Sequence, residues 1–268
     1  MKKTLFLLSS FLLFCTSAFA VDYCADASMK AAWYMNETSG TLADCTTNAN
    51  TCTASGSPGA YNATGKFVGA FDFQEVNNAF FNCGSAAAVD NLTSKSGGGW
   101  IYPDTDGNAG GTLCDGQGWF GKNDGNDGWI FCQQTTAQLR FRQSFDFGAG
   151  VWTTTDTPVV YTGFQHFAFT YNGSSTANDP IFYKDGASRT ITENAAPFGT
   201  IEADAAFTFR KGILEGTVGE ADARLDEIYY YSGILTSTQI NDIKDNGLTI
   251  TSYANYRYDG THYGGTMM

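Results

Sequence analysis

Short runs of alternating apolar and polar residues recur along the chain and predict β-strands. Gly69–Phe73 and Leu139–Arg142 alternate in this way, and Phe167, Phe169 and Tyr171 share one face of a further run. Because successive side chains of a strand point to opposite faces, this pattern is typical of half-buried strands. Turn-forming pairs between the runs indicate antiparallel hairpins: Asp124-Gly125, Asp127-Gly128, Asn172-Gly173 and Asp185-Gly186.

One short helix is marked by residues at both of its ends. Thr236 and Gln239 have the spacing of a capping box, in which each side chain binds a free backbone amide of the first turn. The staple positions just outside and just inside the helix are apolar, and Gly247 is a typical C-terminal stop. The pattern therefore predicts one amphipathic helix directly after the last strand, Leu225–Tyr231.

The first twenty residues have the pattern of an export signal. Lys2 and Lys3 precede a short apolar run, and Ala18-Phe19-Ala20 supplies the small residues that signal peptidase requires. The apolar run is too short to span a bilayer. We expect cleavage after Ala20 and a secreted chain, extracellular or periplasmic. A lipoprotein signal at Cys15 is the alternative, with a bulky residue where that motif needs a small one.

The composition narrows the classes of function. With 15% aromatic residues, 31 glycines and only 16% charged residues among 268, the chain does not resemble a helical bundle. Its formal net charge of -12 disfavours nucleic acid and anionic membrane surfaces, which attract clustered Lys and Arg. The chain has only two histidines, His166 and His262, which leaves no basis for a multi-histidine zinc site.

Six cysteines remain after removal of the signal segment, and none belongs to a CxxC pair. An even number in an exported chain predicts a disulfide framework. Cys45 with Cys52 would close a small loop, and Cys114 with Cys132 would flank a predicted hairpin. By elimination, the third predicted pair is Cys24 with Cys83.

Six segments in chain order carry a recognisable pattern. They are Ala32–Asp44, Gly65–Phe73, Asp90–Pro103, Phe164–Gly173, Phe182–Gly186, and Leu225–Tyr231 with its helix. Together they resemble the laminin-G-like branch of the concanavalin A-like lectin/glucanase superfamily, with Phe164 where that family has tryptophan. The resemblance spans residues 31–247 and implies an all-β, two-sheet antiparallel jelly-roll sandwich with one short C-terminal helix. The cysteines and the insert Phe145–Tyr161 depart from the family pattern.

This resemblance suggests a simple domain plan. Residues 1–20 are the signal peptide, and residues 21–247 form one concanavalin A-like jelly-roll domain. Residues 248–268 are a tail or an added edge strand. No proline-rich linker or internal repeat divides the mature chain further.

The resemblance also implies a calcium ion. In relatives of this fold, calcium often bridges an early loop and an aspartate of the closing strand, which corresponds here to Asp226. Asp44 and Asn48 are the candidate partners in the early loop. A second run, Asp104–Asn108, alternates oxygen ligands like the start of an EF-hand loop. It lacks the glycine and glutamate that this motif requires, so ordinary turn residues are the alternative reading.

Aromatic residues beside Asn and Asp are the candidates for carbohydrate binding. Trp119 and Trp129 flank a segment rich in Gly, Asn and Asp, and Trp152 and Tyr102 are further candidates. Aromatic faces stack on the apolar side of a sugar ring, while neighbouring polar groups bind its hydroxyls. The other two tryptophans are assigned to the core. For Trp119, Trp129 and Trp152, burial in the core and exposure at the surface are equally open.

No sequence pattern supports catalysis. Glycosidases on this fold carry two carboxylates at a fixed separation in an E-x-D-x-x-E cluster, and the nearest run, Glu220–Glu227, has the wrong spacing. A nucleophile elbow, a P-loop and an H-E-x-x-H motif are also missing. His166 is expected to be a packed histidine of a strand.

Three functions therefore remain open. The leading hypothesis is a secreted, non-catalytic recognition domain, a lectin for a glycan or a cell-surface polymer. The second is a structural or adhesive surface protein that uses the jelly roll for protein contacts. The third is a glycoside hydrolase with an unrecognised site. No nucleic acid partner and no membrane span of the mature chain are expected.

Overall fold

A computed structural model describes residues 21–56, 59–74, 80–107, 114–212 and 220–248. The predicted signal peptide, the tail beyond residue 248 and Asn108 lie outside the described residues. Within them the chain is almost entirely β-structure. Its strands are β1 (Met29–Trp33), β2 (Thr53–Ser55), β3 (Ala60–Thr64), β4 (Gly69–Phe73), β5 (Phe80–Asn82), β6 (Ser94–Pro103), β7 (Gln117–Asn123), β8 (Gly128–Gln133), β9 (Leu139–Phe145), β10 (Gly148–Thr154), β11 (Gln165–Asn172), β12 (Ile181–Lys184), β13 (Ala187–Arg189), β14 (Ile191–Ala195), β15 (Phe209–Lys211) and β16 (Ala223–Ser232).

The strands form two antiparallel sheets that pack face to face. The first sheet has the order β13-β12-β11-β6-β16-β4-β3, and β1 also pairs with β16. The second sheet has the order β14-β10-β9-β8-β7-β15-β5-β2. Neighbours in space are often distant in sequence, as in a jelly roll. The predicted two-sheet antiparallel sandwich is confirmed.

The local predictions of turns and helix ends hold as well. The helix α1 spans Ser237–Asn246, and both hydrogen bonds of the capping box at Thr236 are present. Asp185 and Gly186 turn the β12–β13 hairpin with φ values of 50° and 81°. Both residues lie in the left-handed region that such a two-residue turn requires. No helix among the described residues is long and apolar enough to cross a membrane.

Aromatic side chains fill the space between the sheets. Rings from both sheets contact each other, for example Phe141 of β9 and Phe169 of β11 with centroids 4.6 Å apart. A second apolar cluster lies on the outer face of the first sheet, where Ile240 and Ile243 of α1 pack near Tyr229. The helix therefore covers part of the first sheet. No helix of the described residues covers the outer face of the second sheet.

The disulfide prediction was right for one pair and wrong for two. Cys114 binds Cys132, as predicted, but the other pairs are Cys24–Cys45 and Cys52–Cys83. Cys45 packs with the apolar cluster outside the first sheet, whereas Cys52 belongs to the core between the sheets. Although only seven residues apart, the two thiols face different layers of the fold. The layer in which each cysteine lies, and not its distance along the chain, therefore determines its disulfide partner.

Candidate functional site

The outer face of the second sheet presents a row of polar side chains on neighbouring strands. On β9, Leu139 and Phe141 point into the core, so the alternation of the strand places Arg140 on the outer face. Thr153 of β10 lies directly opposite Arg140, and Thr192 of β14 lies directly opposite Thr153. The register thus brings a guanidinium and two hydroxyls side by side across three strands.

A cavity of about 390 Å³ opens over this row. Amide, hydroxyl and guanidinium groups line most of it, and one valine adds an apolar surface: Gln134, Gln138, Arg140, Val151, Thr153, Thr155, Thr192 and Asn194. Thr153 Oγ1 donates to Asn194 Oδ1 over 2.8 Å, which holds the Asn194 side chain at the cavity. The cavity is thus rich in groups that donate and accept hydrogen bonds.

The charge in this cavity comes from Arg140. Its Nε atom is buried and has no hydrogen-bond partner among the described residues. Burial lowers the pKa of Arg140, while the charge of Asp115 partly raises it. The two side chains form no ion pair, and Asp115 Oδ1 is itself buried without a hydrogen-bond partner. The guanidinium therefore retains hydrogen-bonding capacity that the protein does not use.

Two phenylalanine rings lie exposed at the far end of the same hairpin. Phe147 at the β9–β10 turn is 74% exposed and Phe198 is 68% exposed. Their centroids are 5.7 Å apart, and Asp146 and Thr200 are hydrogen-bonded beside them. Sequence reasoning missed this pair. The signal was present, since each ring lies in a turn context, before Gly148 and between Pro197 and Gly199.

A second cavity of about 430 Å³ lies at the β2–β5 edge of the same sheet. Small residues and Cys83 line it, together with Asn82, and none of the lining residues is charged. It therefore offers fewer side-chain contacts for orienting a ligand than the cavity beside Arg140.

The predicted tryptophan platform is wrong. Trp119, Trp129 and Trp152 are each 0% exposed and belong to the core between the sheets. The glycine and asparagine residues near Trp129 do form a turn, but that turn ends at Gly128, and β8 then directs the indole inward. The open alternative, burial in the core, is the one the structure shows for all three.

The fourth predicted sugar contact, Tyr102, lies on the opposite sheet. It is half-buried on the outer face of the first sheet, where the Arg224 guanidinium lies 3.8 Å from its ring centroid. Arg224 also binds Asp104 over 3.0 Å. The four predicted aromatic contacts therefore do not meet in one site.

The residues predicted to bind calcium are engaged in protein hydrogen bonds. Asp44 accepts from the backbone amides of Ala32, Thr46 and Asn50, and from the side chains of the latter two. Asn48 donates to the carbonyl of Lys30 over 3.1 Å. These donors direct positive dipoles at Asp44, an arrangement that suits a carboxylate without a cation. The Asp44 site therefore does not fit calcium.

Asp226, the third predicted ligand, binds the loop between β3 and β4, not the loop that contains Asp44. Its Oδ2 accepts from the amides of Lys66 and Phe67 over 2.7 and 3.1 Å. Burial raises the pKa of Asp226 to about 7, against the lowering effect of these amides. No group of three or more His, Cys, Asp or Glu residues in the described part of the chain is placed to hold a metal. Calcium binding remains a prediction from the sequence alone.

His166 is a packed histidine of β11. It is 0% exposed, and its ring lies against Trp100 and Tyr229 with centroids 5.5 and 6.1 Å away. Burial lowers its pKa to about 3, so the imidazole is neutral at physiological pH. A buried, neutral ring of this kind serves packing, as expected from the sequence.

Solved structures share this fold at low sequence identity. The binding domain of a paraclostridial mosquitocidal protein matches with a TM-score of 0.62 and 14% identity, covering 82% of this chain and 52% of that one. Domain 4 of an extracellular arabinanase from Geobacillus stearothermophilus, solved with arabinotriose, matches at 0.52 and 17% identity, covering 81% and 98%. The binding domain of botulinum neurotoxin DC, solved with rat synaptotagmin II, matches at 0.59 and 14%, covering 82% and 51%.

These matches differ in how much of the other protein they cover. The chain spans about half the length of the toxin binding domains and nearly all of the arabinanase domain. No curated protein matches the sequence. A family model described as concanavalin A-like lectin/glucanases superfamily matches residues 84–241, more than half of the 268 residues. This range includes strands of both sheets, the closing strand β16 and the first half of α1. The chain therefore belongs to the concanavalin A-like lectin/glucanase superfamily.

Proposed function

We propose that this chain is a secreted, non-catalytic carbohydrate-binding domain that holds a glycan on the outer face of its second sheet. The observation that carries the proposal is the polar cavity beside Arg140. Sugars present many hydroxyls, and a site lined by amides, hydroxyls and a guanidinium can both donate to and accept from them. Val151 adds an apolar surface for the face of a sugar ring.

The length of the hairpin favours a chain of several sugar rings over a single ring. Strand β9 has seven residues, which at about 3.3 Å per residue extend over about 20 Å. The cavity lies near one end of this strand, and Phe147 and Phe198 lie at the other. An oligosaccharide lying along β9 and β10 could contact both. The exposed rings then provide the stacking surface that the buried tryptophans do not.

Structures with the same fold support this proposal. The arabinanase domain was solved with arabinotriose, and this chain covers 98% of its length. Other matches include a botulinum binding domain solved with a sialylated ligand. Sites differ widely on one fold, so these ligands serve as starting probes.

Calorimetric titration of the disulfide-intact chain with neutral oligosaccharides, including arabinotriose, tests the function. We expect dissociation constants of about 10 µM to 1 mM, since ordering and desolvation offset much of the contact energy. Asn194→Ala and Thr153→Val should each weaken binding by about fivefold, the worth of one hydrogen bond. Asn126→Ala is the matched control, because Asn126 is exposed at the β7–β8 turn and does not line the cavity.

Two results would overturn the proposal. One is the absence of binding to any member of a broad glycan array. The other is binding that the cavity variants and the control affect equally, which would place the ligand elsewhere on the molecule.

We further propose that the chain is exported and that the mature form begins at Val21. The basic start and the Ala18-Phe19-Ala20 sequence support the cleavage site. The three disulfides support an oxidising compartment. Intact-mass measurement of protein recovered from outside the cytoplasm tests this. A chain that retains Met1 would contradict it.

A further inference from the structure

The Arg140 side chain is half-buried, and its buried Nε lacks the partner that a polar atom removed from water normally has. Buried charges in proteins are usually paired, because removing them from water is costly. Here no carboxylate of the described residues forms an ion pair with Arg140, and its Nε has no hydrogen-bond partner. The guanidinium also lines the cavity. A ligand in that cavity would therefore meet a cation with free donors.

The neighbouring groups define what such a ligand should carry. Around Arg140, the cavity contributes neutral amides and hydroxyls from Gln138, Thr153, Thr192 and Asn194, and none of the lining residues is acidic. These groups suit the hydroxyls of a sugar, whereas the guanidinium suits a planar anion. A carboxylate matches the fork of an arginine with two parallel hydrogen bonds.

On this basis we propose that the cavity selects an acidic glycan, in which the carboxylate of a uronic acid-type sugar binds Arg140. The inference rests on the proposed carbohydrate-binding function and adds the class of sugar. A single guanidinium fits a ligand with one carboxylate at this position. The net charge of -12 disfavours ligands with dense negative charge over the rest of the surface.

The proposal is tested with two ligands that differ only in the carboxylate. One is an oligosaccharide that contains a single uronic acid residue, and the other is the same oligosaccharide with that one carboxylate converted to its methyl ester. Titration calorimetry of the wild-type chain should show about tenfold tighter binding of the free acid, as expected for a charge-assisted pair. Added salt should reduce this preference, because screening weakens the charge contribution.

Variants of Arg140 test whether its guanidinium causes the preference for the free acid over the ester. Arg140→Gln should bind the free acid and the ester equally, whereas Arg140→Lys should retain part of the preference through its charge. Arg224→Gln is the matched control, because Arg224 is a partly exposed arginine on the outer face of the opposite sheet. It should retain the full preference. Thermal melting confirms that each variant is folded, and Arg140→Lys keeps the test valid should Arg140→Gln fail to fold.

The outcomes separate the two proposals. If both ligands bind with equal affinity to the wild-type chain, the acidic selectivity is wrong and the carbohydrate-binding function stands. If the acid is preferred but Arg140→Gln keeps that preference, Arg140 is not the group responsible and the inference is overturned. If neither these ligands nor the neutral oligosaccharides bind, both proposals fail.

Discussion

Replacing Trp129 by alanine tests whether this residue is part of the core or part of a binding surface. Trp129 is 0% exposed, and its ring stacks on Tyr230 with centroids 4.9 Å apart and an interplanar angle of 15°. Phe209 and Phe169 lie 5.6 and 5.8 Å away. The substitution therefore removes a ring that contacts both sheets.

The expected loss of stability follows from the buried area. A tryptophan side chain buries about 200 Å², which at about 25 cal/mol per Å² corresponds to about 5 kcal/mol. The remaining methyl group and partial collapse of the cavity reduce this value, and large-to-small changes of this kind cost about 3 to 5 kcal/mol. We expect Trp129→Ala to lower the free energy of unfolding by about 4 kcal/mol.

Equilibrium denaturation of the disulfide-intact protein, followed by circular dichroism, measures this loss. Phe198→Ala is the control, since a ring that is 68% exposed should change stability by no more than about 0.5 kcal/mol. The reasoning is refuted if Trp129→Ala costs less than about 1 kcal/mol, or if the two variants destabilise the protein equally. Glycan affinity of folded Trp129→Ala should match that of the wild type.

Four further predictions concern the rest of the fold. Non-reducing peptide mapping should recover the pairs Cys24–Cys45, Cys52–Cys83 and Cys114–Cys132, and replacing the Cys114–Cys132 pair by alanine should cost about 3 kcal/mol in denaturant unfolding. Burial favours the neutral form of Asp226 and raises its pKa from 3.8 to about 7, so its contribution to stability should be lost as pH rises between these two values. Asp226→Asn should flatten the dependence of the free energy of unfolding on pH, and an unchanged slope would contradict this. Thr236→Ala removes the capping box of α1 and should cost about 1 kcal/mol, measured by urea unfolding. A calcium chelator should leave the melting temperature unchanged, because Asp44 is satisfied by protein donors; a clear drop would instead support the prediction of bound calcium.

Features that depend on neighbours in sequence were predictable. The capping box at Thr236 and the Asp185–Gly186 turn form hydrogen bonds and backbone angles within a few residues, so the local sequence suffices to specify them. Alternation along β11 likewise determines which of its side chains share a face. The order of six such segments was enough to indicate the fold.

Features that depend on which layer a residue faces were not predictable in the same way. Trp129 follows a polar turn, yet as the second residue of β8 it already points into the core between the sheets. Lys122 lies in a polar sequence context but is 0% exposed, where its Nζ pairs with Asp90 over 2.8 Å and with Asp204 over 3.3 Å. Composition alone would place that lysine and its turn-like surroundings at the surface.

The candidate site shows the same division most clearly. The alternation along this one strand is enough to show that Arg140 lies between core residues and therefore faces outward. That Thr153 and Thr192 lie beside it follows from the folding of the sheet, because antiparallel register brings together positions up to 52 residues apart in the chain. The folded chain also leaves this face without a helix among the described residues, while α1 packs on the opposite sheet. A binding surface of this kind arises from pairing between distant strands, which residue patterns within one strand do not encode.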